Sequence, residues 1–337
     1  MDVLISILSF VFAIGLAVLI HEFGHFIFAK RAGVYVQEFA IGMGPKIFSR
    51  KKGETTYSIR ALPIGGFVAM AGEGIELEEE VPKERFVTEA SFLNKFLIFF
   101  MGAGFNFLLA IILMFVINLS QGVPSDKAII GDLVALGPAE QSGVEVGDEI
   151  ITMNGVAINE WDDIASNVTQ NINMVVLRDG TNVNLDIEAA YIEGEDRYYM
   201  GIFSTTEFNL IGSFTGAITY TYESIGQMFT IIGGLVSGAI DAGKLAGPVG
   251  IYQMAGSAGS AGFLSLLTFT AFLSINLGFV NLIPIPAFDG GRILIIVFEA
   301  ITRKKLSQKV EMGLQVVGLA LILMLLVFVT FNDIGRF

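Results

Sequence analysis

Ile14-Gly15-Leu16-Ala17-Val18-Leu19-Ile20-His21-Glu22-Phe23-Gly24-His25-Phe26-Ile27-Phe28-Ala29 sets three ionisable side chains inside an apolar run, and its reading decides the fold. The run extends from about Val3 to Ala29, and a helix needs about 20 apolar residues to cross ~30 Å of hydrocarbon. His21 and His25 stand at i and i+4. On a helix both imidazoles therefore project from one face and can hold a single zinc ion, with Glu22 beside them as general base. These are the only two histidines in the chain. Two core histidines bonded to neighbouring helices would leave that spacing unexplained. Ionisable groups at membrane depth are costly and default to function, so a metal site is expected on the first span.

The composition agrees. Of 337 residues 53% are hydrophobic and 16% charged, with a mean hydropathy of +0.67 and a net charge of −13. Soluble domains carry about 25% charged residues. Disorder needs low hydrophobicity, and a nucleic-acid partner needs a basic face, so both are excluded. With no cysteine, disulfides and thiolate metal sites are excluded too. Three further apolar runs qualify as spans: about Phe92 to Leu119, Phe263 to Ile285 and Gly313 to Phe331. A cleavable leader does not fit the first run, which lacks a basic start and is too long. Leu210 to Ile240 is apolar but interrupted by six glycines and by Thr, Ser and Tyr; it reads as an interfacial or re-entrant helix.

Ten of the twenty Lys and Arg residues lie between Lys30 and Lys95, and five more between Arg292 and Lys309. The positive-inside rule puts both loops in the cytoplasm and Ser120 to Gly262, with both termini, outside. Four spans satisfy this parity. Tyr57 to Met70 reads as strand, turn, strand, with the bend at Pro63 and Gly65-Gly66, while the acidic run Glu73 to Glu84 reads as a solvated linker. Outside, Asn173–Leu177 and Asn182–Ile187 are β-type runs around Asp179-Gly180, a strong hairpin signal. The expected fold class is a polytopic α-helical membrane protein with four transmembrane helices, a cytoplasmic membrane-associated β-hairpin and an inserted extracytoplasmic α+β domain. Its parts are a membrane core over 1–122 (loop and hairpin at 30–95), an outer domain over 123–208, an interfacial or re-entrant segment over 209–262 and the rest of the core over 263–337.

Catalytic zinc commonly has three protein ligands, and with no cysteine and no third histidine the third is a carboxylate. Glu38 and Glu54 follow the first span but have no helical context. Asp289 is the better candidate, in Asn281-Leu282-Ile283-Pro284-Ile285-Pro286-Ala287-Phe288-Asp289-Gly290-Gly291. There two prolines break the helix, and the glycines give a turn that frees the Asp to point inward. Broken backbone at membrane depth is tolerated only where protein or a cavity surrounds it.

Together these two motifs resemble the site-2 protease family of intramembrane zinc metalloproteases, most closely the bacterial branch with an extracytoplasmic PDZ domain. The resemblance covers nearly the whole chain. Phe39–Pro45 and Tyr57–Met70 look like the family's cytoplasmic loop and hairpin, and Gly247-Pro248-Val249-Gly250 like the segment ahead of the third span. Gly102-Ala103-Gly104-Phe105-Asn106 resembles its second-span motif, with Ala103 in place of proline. The resemblance implies His21, His25 and Asp289 as zinc ligands and Glu22 as the catalytic base. It implies Asn281 as support for substrate or oxyanion, with Asn106 in a similar role or in interhelical hydrogen bonding. Gly65, Gly66 and Phe67 belong to the hairpin that would pair with an unwound substrate by strand addition.

Gly137 to Gly155 resembles the PDZ pattern of Pro-Ala, Gly-Asp and a strand ending Asn-Gly, with Trp161 as core; no particular peptide ligand is assigned to it. The implied activity is cleavage of transmembrane segments in single-span substrates such as anti-sigma-factor-like proteins or signal-peptide remnants, already trimmed by another protease. The implied setting is a bacterial inner or plasma membrane, in contact with lipid, with the active site toward the cytoplasm. A silent scaffold with a peptide-capturing PDZ domain is the rival, but it predicts loss of an essential residue and all four are present. Between Ser120 and Leu210 sixteen acids face three bases, so the whole net charge belongs to the outer domain.

Overall fold

The computed structural model describes residues 2–192, 197–241, 243 and 245–336, with the backbone alone for Asp2, Gln308 and Arg336. Residues 193–196 of the expected outer domain, and 242 and Lys244 of the segment after it, lie outside the described residues. In chain order the membrane part opens with α1 (Asp2–Arg31), β1 (Val36–Lys52), β2 (Thr55–Met70) and α2 (Phe92–Gln121). Then come β3 (Val123–Pro124), β4 (Ile130–Leu133), α3 (Pro138–Gln141), β5 (Glu149–Met153), β6 (Val156–Ala157), α4 (Asp162–Asn167), β7 (Asn171–Arg178) and β8 (Thr181–Glu188). The strands β9 (Ala190–Ile192), β10 (Arg197–Tyr199), β11 (Ile202–Ser204) and β12 (Thr206–Glu207) follow. The chain closes with α5 (Leu210–Ser237), α6 (Pro248–Ala261), α7 (Phe263–Asn281), α8 (Asp289–Thr302) and α9 (Gln308–Arg336). Among the described residues, four helices are long and apolar enough to cross a membrane: Val3–Arg31, Phe92–Gln121, Phe263–Asn281 and Lys309–Gly335. The chain divides into two units, Met1–Ile117 with Ala217–Phe337, and Asn118–Gly216.

The Asn118–Gly216 unit is built on an antiparallel sheet of order β6-β5-β7-β8. Its alternating strands bury Ile150, Met153, Ile172, Met174, Val176 and Ile187, and Trp161 packs at the margin of that core. β7 and β8 join through Asp179-Gly180, with Arg178 opposite Thr181 and both turn residues at positive φ. That is the backbone a two-residue hairpin with the native strand twist requires.

In the other unit β1 and β2 pair across Gly53-Glu54, with Lys52 opposite Thr55 and Phe48 opposite Ile59. The stretch 38–41 then lies between two parts of β2, Ala40 facing both Ser58 and Phe67. The bend at Pro63 to Gly66 therefore carries the chain round β1, and the two halves of Tyr57–Met70 flank it instead of pairing with each other. Proline cannot donate to a ladder, and Gly65 takes a φ of +85° there.

The hairpin turn is tied down by charge. Glu54 binds Lys30 at the end of α1 and both terminal nitrogens of Arg85, at 2.7 and 2.8 Å. The Arg85 guanidinium, helped by the Lys30 ammonium and opposed by burial, lowers the Glu54 carboxyl to about 2. A carboxyl depressed on folding contributes stability that is complete above its unfolded value and lost as pH falls through its folded one. Acidification from about pH 4.5 to about pH 2 should therefore release the turn, read as faster proteolysis at Lys51–Gly53. Glu54→Gln should abolish that pH dependence and cleave at one rate throughout the window.

Helix α6 is secured from α9. The buried Asp333 carboxylate accepts the amide N–H groups of Gly247 (3.1 Å) and Gly250 (2.9 Å) at the α6 N-terminus. An acceptor there satisfies donors the helix leaves open and complements its dipole. Asp333→Ala should lower thermal stability by about 1–2 kcal/mol; an unchanged melting temperature would contradict this account.

Leu210 to Ser237 is one continuous helix. Its Ala217 and Met228 share a core with Ala110, Met114 and Ile275, and the Phe229 ring stands 4.9 Å from that of Phe279. Packing against α2 and α7 outweighs the cost of its glycines, about 1 kcal/mol each, and among the described residues it is not one of the four helices apolar enough to cross a membrane. Gly290 and Gly291 are likewise helical, in the first turn of α8. A Cβ there would stand 2.3 Å from the Leu282 and Ile285 carbonyl oxygens, so these glycines let α8 pack on the proline-broken loop. They do not make the turn expected of them.

Candidate metal centre

Helix α1 presents His21 and His25 on one face, and α8 brings Asp289 to them as its first residue. His21 Nε2 and His25 Nε2 are 3.1 Å apart, and Asp289 Oδ2 lies 3.1 Å from the first and 3.2 Å from the second. Tetrahedral zinc with bonds of ~2.0–2.1 Å to N and O spaces its ligands about 3.3 Å apart, so the triangle has the right edge. His25 Nδ1 stands 2.8 Å from the Ile98 carbonyl oxygen. A carbonyl only accepts, so Nδ1 carries the proton, which in a neutral imidazole leaves the lone pair on Nε2. Asp289 Oδ2 is buried and accepts no hydrogen bond. Two imidazole nitrogens and a carboxylate oxygen that converge in this way suit a cation, and that donor set suits zinc.

The surrounding residues set this geometry. Phe99 meets the His25 ring edge-on at a centroid distance of 6.4 Å. Helix α2 crosses α1 at Gly24 and Gly102: a Cβ on Gly24 would lie 2.2 Å from the Met101 carbonyl oxygen, and one on Gly102 would lie 2.4 Å from His25 Nε2. One turn beyond Gly102, the fully buried Asn106 places its amide nitrogen 3.4 Å from His21 Nδ1, while its Oδ1 has no partner. Asn106 thus stands behind His21 and does not line the pocket.

The pocket itself, about 270 Å³, is lined by His21, Glu22, His25, Asp289, Asn281 and Phe67 among others. Gly66 lies over Glu22, its Cβ position 3.5 Å from Glu22 Cγ. Phe67 stacks under Arg60 at 4.7 Å. Gly65 faces Met43 instead of the pocket.

Two lining residues escaped the sequence reading. Glu73 and Arg292 form an ion pair at the pocket wall, with side chains 13% and 32% exposed. Glu76, Glu78, Glu79 and Glu80 are exposed, as a solvated linker requires, but Glu73 is not part of it. Burial pushes the Glu73 carboxyl up, against the pull of the Arg292 guanidinium. Their one signal in the sequence was the spacing of Arg292, three residues after Asp289 and so on the same side of a helix.

A multi-pass membrane protein with a buried two-histidine, one-carboxylate centre and an adjacent glutamate has the equipment of a membrane metallohydrolase. The sequence model of peptidase family M50 matches residues 9–325, and the chain belongs to that family, the site-2 proteases. It is 33% identical to the zinc metalloprotease RasP of Bacillus licheniformis, over 98% of this chain and 99% of that protein. It is 32% identical to the zinc metalloprotease RasP of Geobacillus kaustophilus, over 100% and 99%. The regulator of sigma-W protease RasP of Bacillus subtilis is also 32% identical, over 98% of each chain.

Proposed function

We propose that the protein is a zinc-dependent endopeptidase of regulated intramembrane proteolysis, cleaving single-span membrane proteins already shortened by another protease. The observation that carries this reading is the triangle of donor atoms at His21, His25 and Asp289, beside Glu22. These three side chains hold the zinc, and Glu22 is the general base. Asn106 is a positioning residue. Amide oxygen and nitrogen exchange by a half-turn, and the turned amide accepts the Nδ1–H of His21, satisfies its own oxygen and leaves Nε2 free for the metal. When bound, zinc supplies Lewis acidity that acidifies water and polarises a carbonyl.

Glu22 takes a proton from the attacking water and passes it to the departing amide nitrogen. Asn281, on the pocket wall, offers an amide N–H to the substrate carbonyl as charge develops on it. A helical substrate hides its carbonyls, so it must unwind before it reaches Glu22. The Gly65–Phe67 stretch of β2 pairs with the unwound strand there; the approach of Gly66 to Glu22 supports that placement.

Exposed Met43, Ile47, Phe48 and Leu62 beside Lys46, Arg50 and Lys51 suit a hairpin resting on lipid at the cytoplasmic face. The basic loops support an active site near that face and an acidic 123–208 domain outside, which we read as a PDZ module that screens substrates. The test is cleavage of a tagged single-span substrate in proteoliposomes. Chelation should reduce it to background and one equivalent of zinc restore it; cleavage indifferent to chelation would defeat the proposal.

A further inference from the structure

From the same pocket we infer that Arg292 binds the new C-terminal carboxylate of the cleaved chain, and that Glu73 holds its place between turnovers. The inference rests on the peptidase reading of the site. Hydrolysis of a peptide bond adds the water oxygen to the carbonyl carbon, breaks the C–N bond and sends a proton to the nitrogen. The acid that forms ionises at neutral pH, so an anion appears in the pocket that was not there before. Among the described residues lining the pocket, Arg292 is the single lysine or arginine. It sits one helical turn after Asp289, and its guanidinium lies 5.0 Å over the Phe99 ring, which also faces His25.

That a carboxylate fits this position is already visible, because the Glu73 carboxylate occupies it through Arg292 Nη1. A guanidinium has five N–H donors in a fixed fork that suits carboxylates. Glu73 stands between Gly72 (φ +95°) and Gly74 (φ +79°), and a Cβ on Gly74 would meet nothing within 4 Å. Gly72 is packed against Phe86, Val87 and Thr88, so it is the open Gly74 side that lets Glu73 swing away when a second carboxylate competes for Arg292.

Behind the pair lies a second cavity of about 380 Å³, and Glu73, Phe99 and Arg292 line both spaces. The pair is thus a partition between the reaction pocket and a chamber with charged walls at Glu89, Lys95, Glu299 and Lys305. An ionised chain end would pass from the first toward the second. A buried ion pair is weak support for stability, whereas one that exchanges partners has a use here.

The experiment compares two fluorescent apolar hexapeptides, one ending in a free carboxylate and one in an amide, binding the full-length protein in nanodiscs after its metal has been removed. Without zinc, an acid preference reports a protein cation alone. The acid should bind about tenfold more tightly than the amide, the scale of a charge-assisted hydrogen bond. Arg292→Gln should erase the difference, Arg292→Lys should keep part of it, and Glu73→Gln should widen it by removing the internal competitor. Because that last change is a gain, a folding defect cannot imitate it. Equal binding of acid and amide by the unaltered protein, or an undiminished preference in Arg292→Gln, would overturn the inference. An acid preference that follows Arg292 in a protein that never cleaves would fault the peptidase reading and leave the anion site standing.

Discussion

Gly102→Ala should empty the metal centre. By helix propensity alone an Ala in place of a mid-helix Gly stabilises by roughly 1 kcal/mol, so the sign depends on what the methyl group meets. It meets His25 Nε2 at 2.4 Å, His25 Cε1 at 2.5 Å and His21 Cε1 at 2.9 Å. The imidazoles cannot retreat along α1, because α2 is pressed against Gly24 from the same side, and His25 Nδ1 is bonded to Ile98 of α2 itself. Either the helices part or the rings turn off the Asp289 triangle, and a displacement of about 1 Å from productive geometry costs on the order of 10²-fold in rate.

Purified Gly102→Ala should carry well under half of the zinc bound by the unaltered protein, with cleavage lost in step. Gly104→Ala is the matched control. Its Cβ would meet the sulfur of Met101 at 2.9 Å, on a flexible side chain, and Phe100 Cε1 at an ordinary 3.9 Å, so zinc should be retained. A full equivalent of zinc in Gly102→Ala would show that the close crossing of α1 and α2 does not govern the site.

Glu22→Gln separates catalysis from metal binding. Glutamine keeps the size and most contacts of glutamate but cannot accept the water proton, and a general base contributes about 10²–10⁴-fold. Cleavage should fall within that range while zinc content stays unchanged, because Glu22 is not one of the three converging donors. Asp289→Ala should behave differently, losing zinc and activity together. Full cleavage by Glu22→Gln would remove Glu22 from the mechanism, and loss of zinc in that variant would make it a ligand.

Much of the architecture was legible before any coordinates. The spans at α1, α2, α7 and α9 follow from uninterrupted apolar length, and the β7–β8 turn from Asp179-Gly180, because both signals are local and period-based. The His21–His25 spacing is equally local: two histidines on one helix face need no partner to be recognised as a candidate metal site. Asp289 lies 264 residues beyond His25 and came within reach only because the chain has no other donor in a proline-broken loop at membrane depth.

What stayed hidden depends on which surfaces meet. Nothing near Gly102 announces that the imidazoles of another helix fill the space its missing side chain leaves. Glu73 looks like the first of a run of solvated acids until Arg292, far along the chain, closes on it. Likewise the part played by Asp333 at the end of α9 is set by the amides of Gly247 and Gly250, distant in sequence, that point at it. By itself the sequence determined the membrane helices, the metal-binding chemistry and an acidic, strand-rich stretch between the second and third spans, because each rests on periodicity or residue type within one segment. Only the tertiary structure decided how closely α2 presses on the histidines, which way the hairpin wraps and which charges line the pocket, because these are contacts between segments that no local pattern encodes.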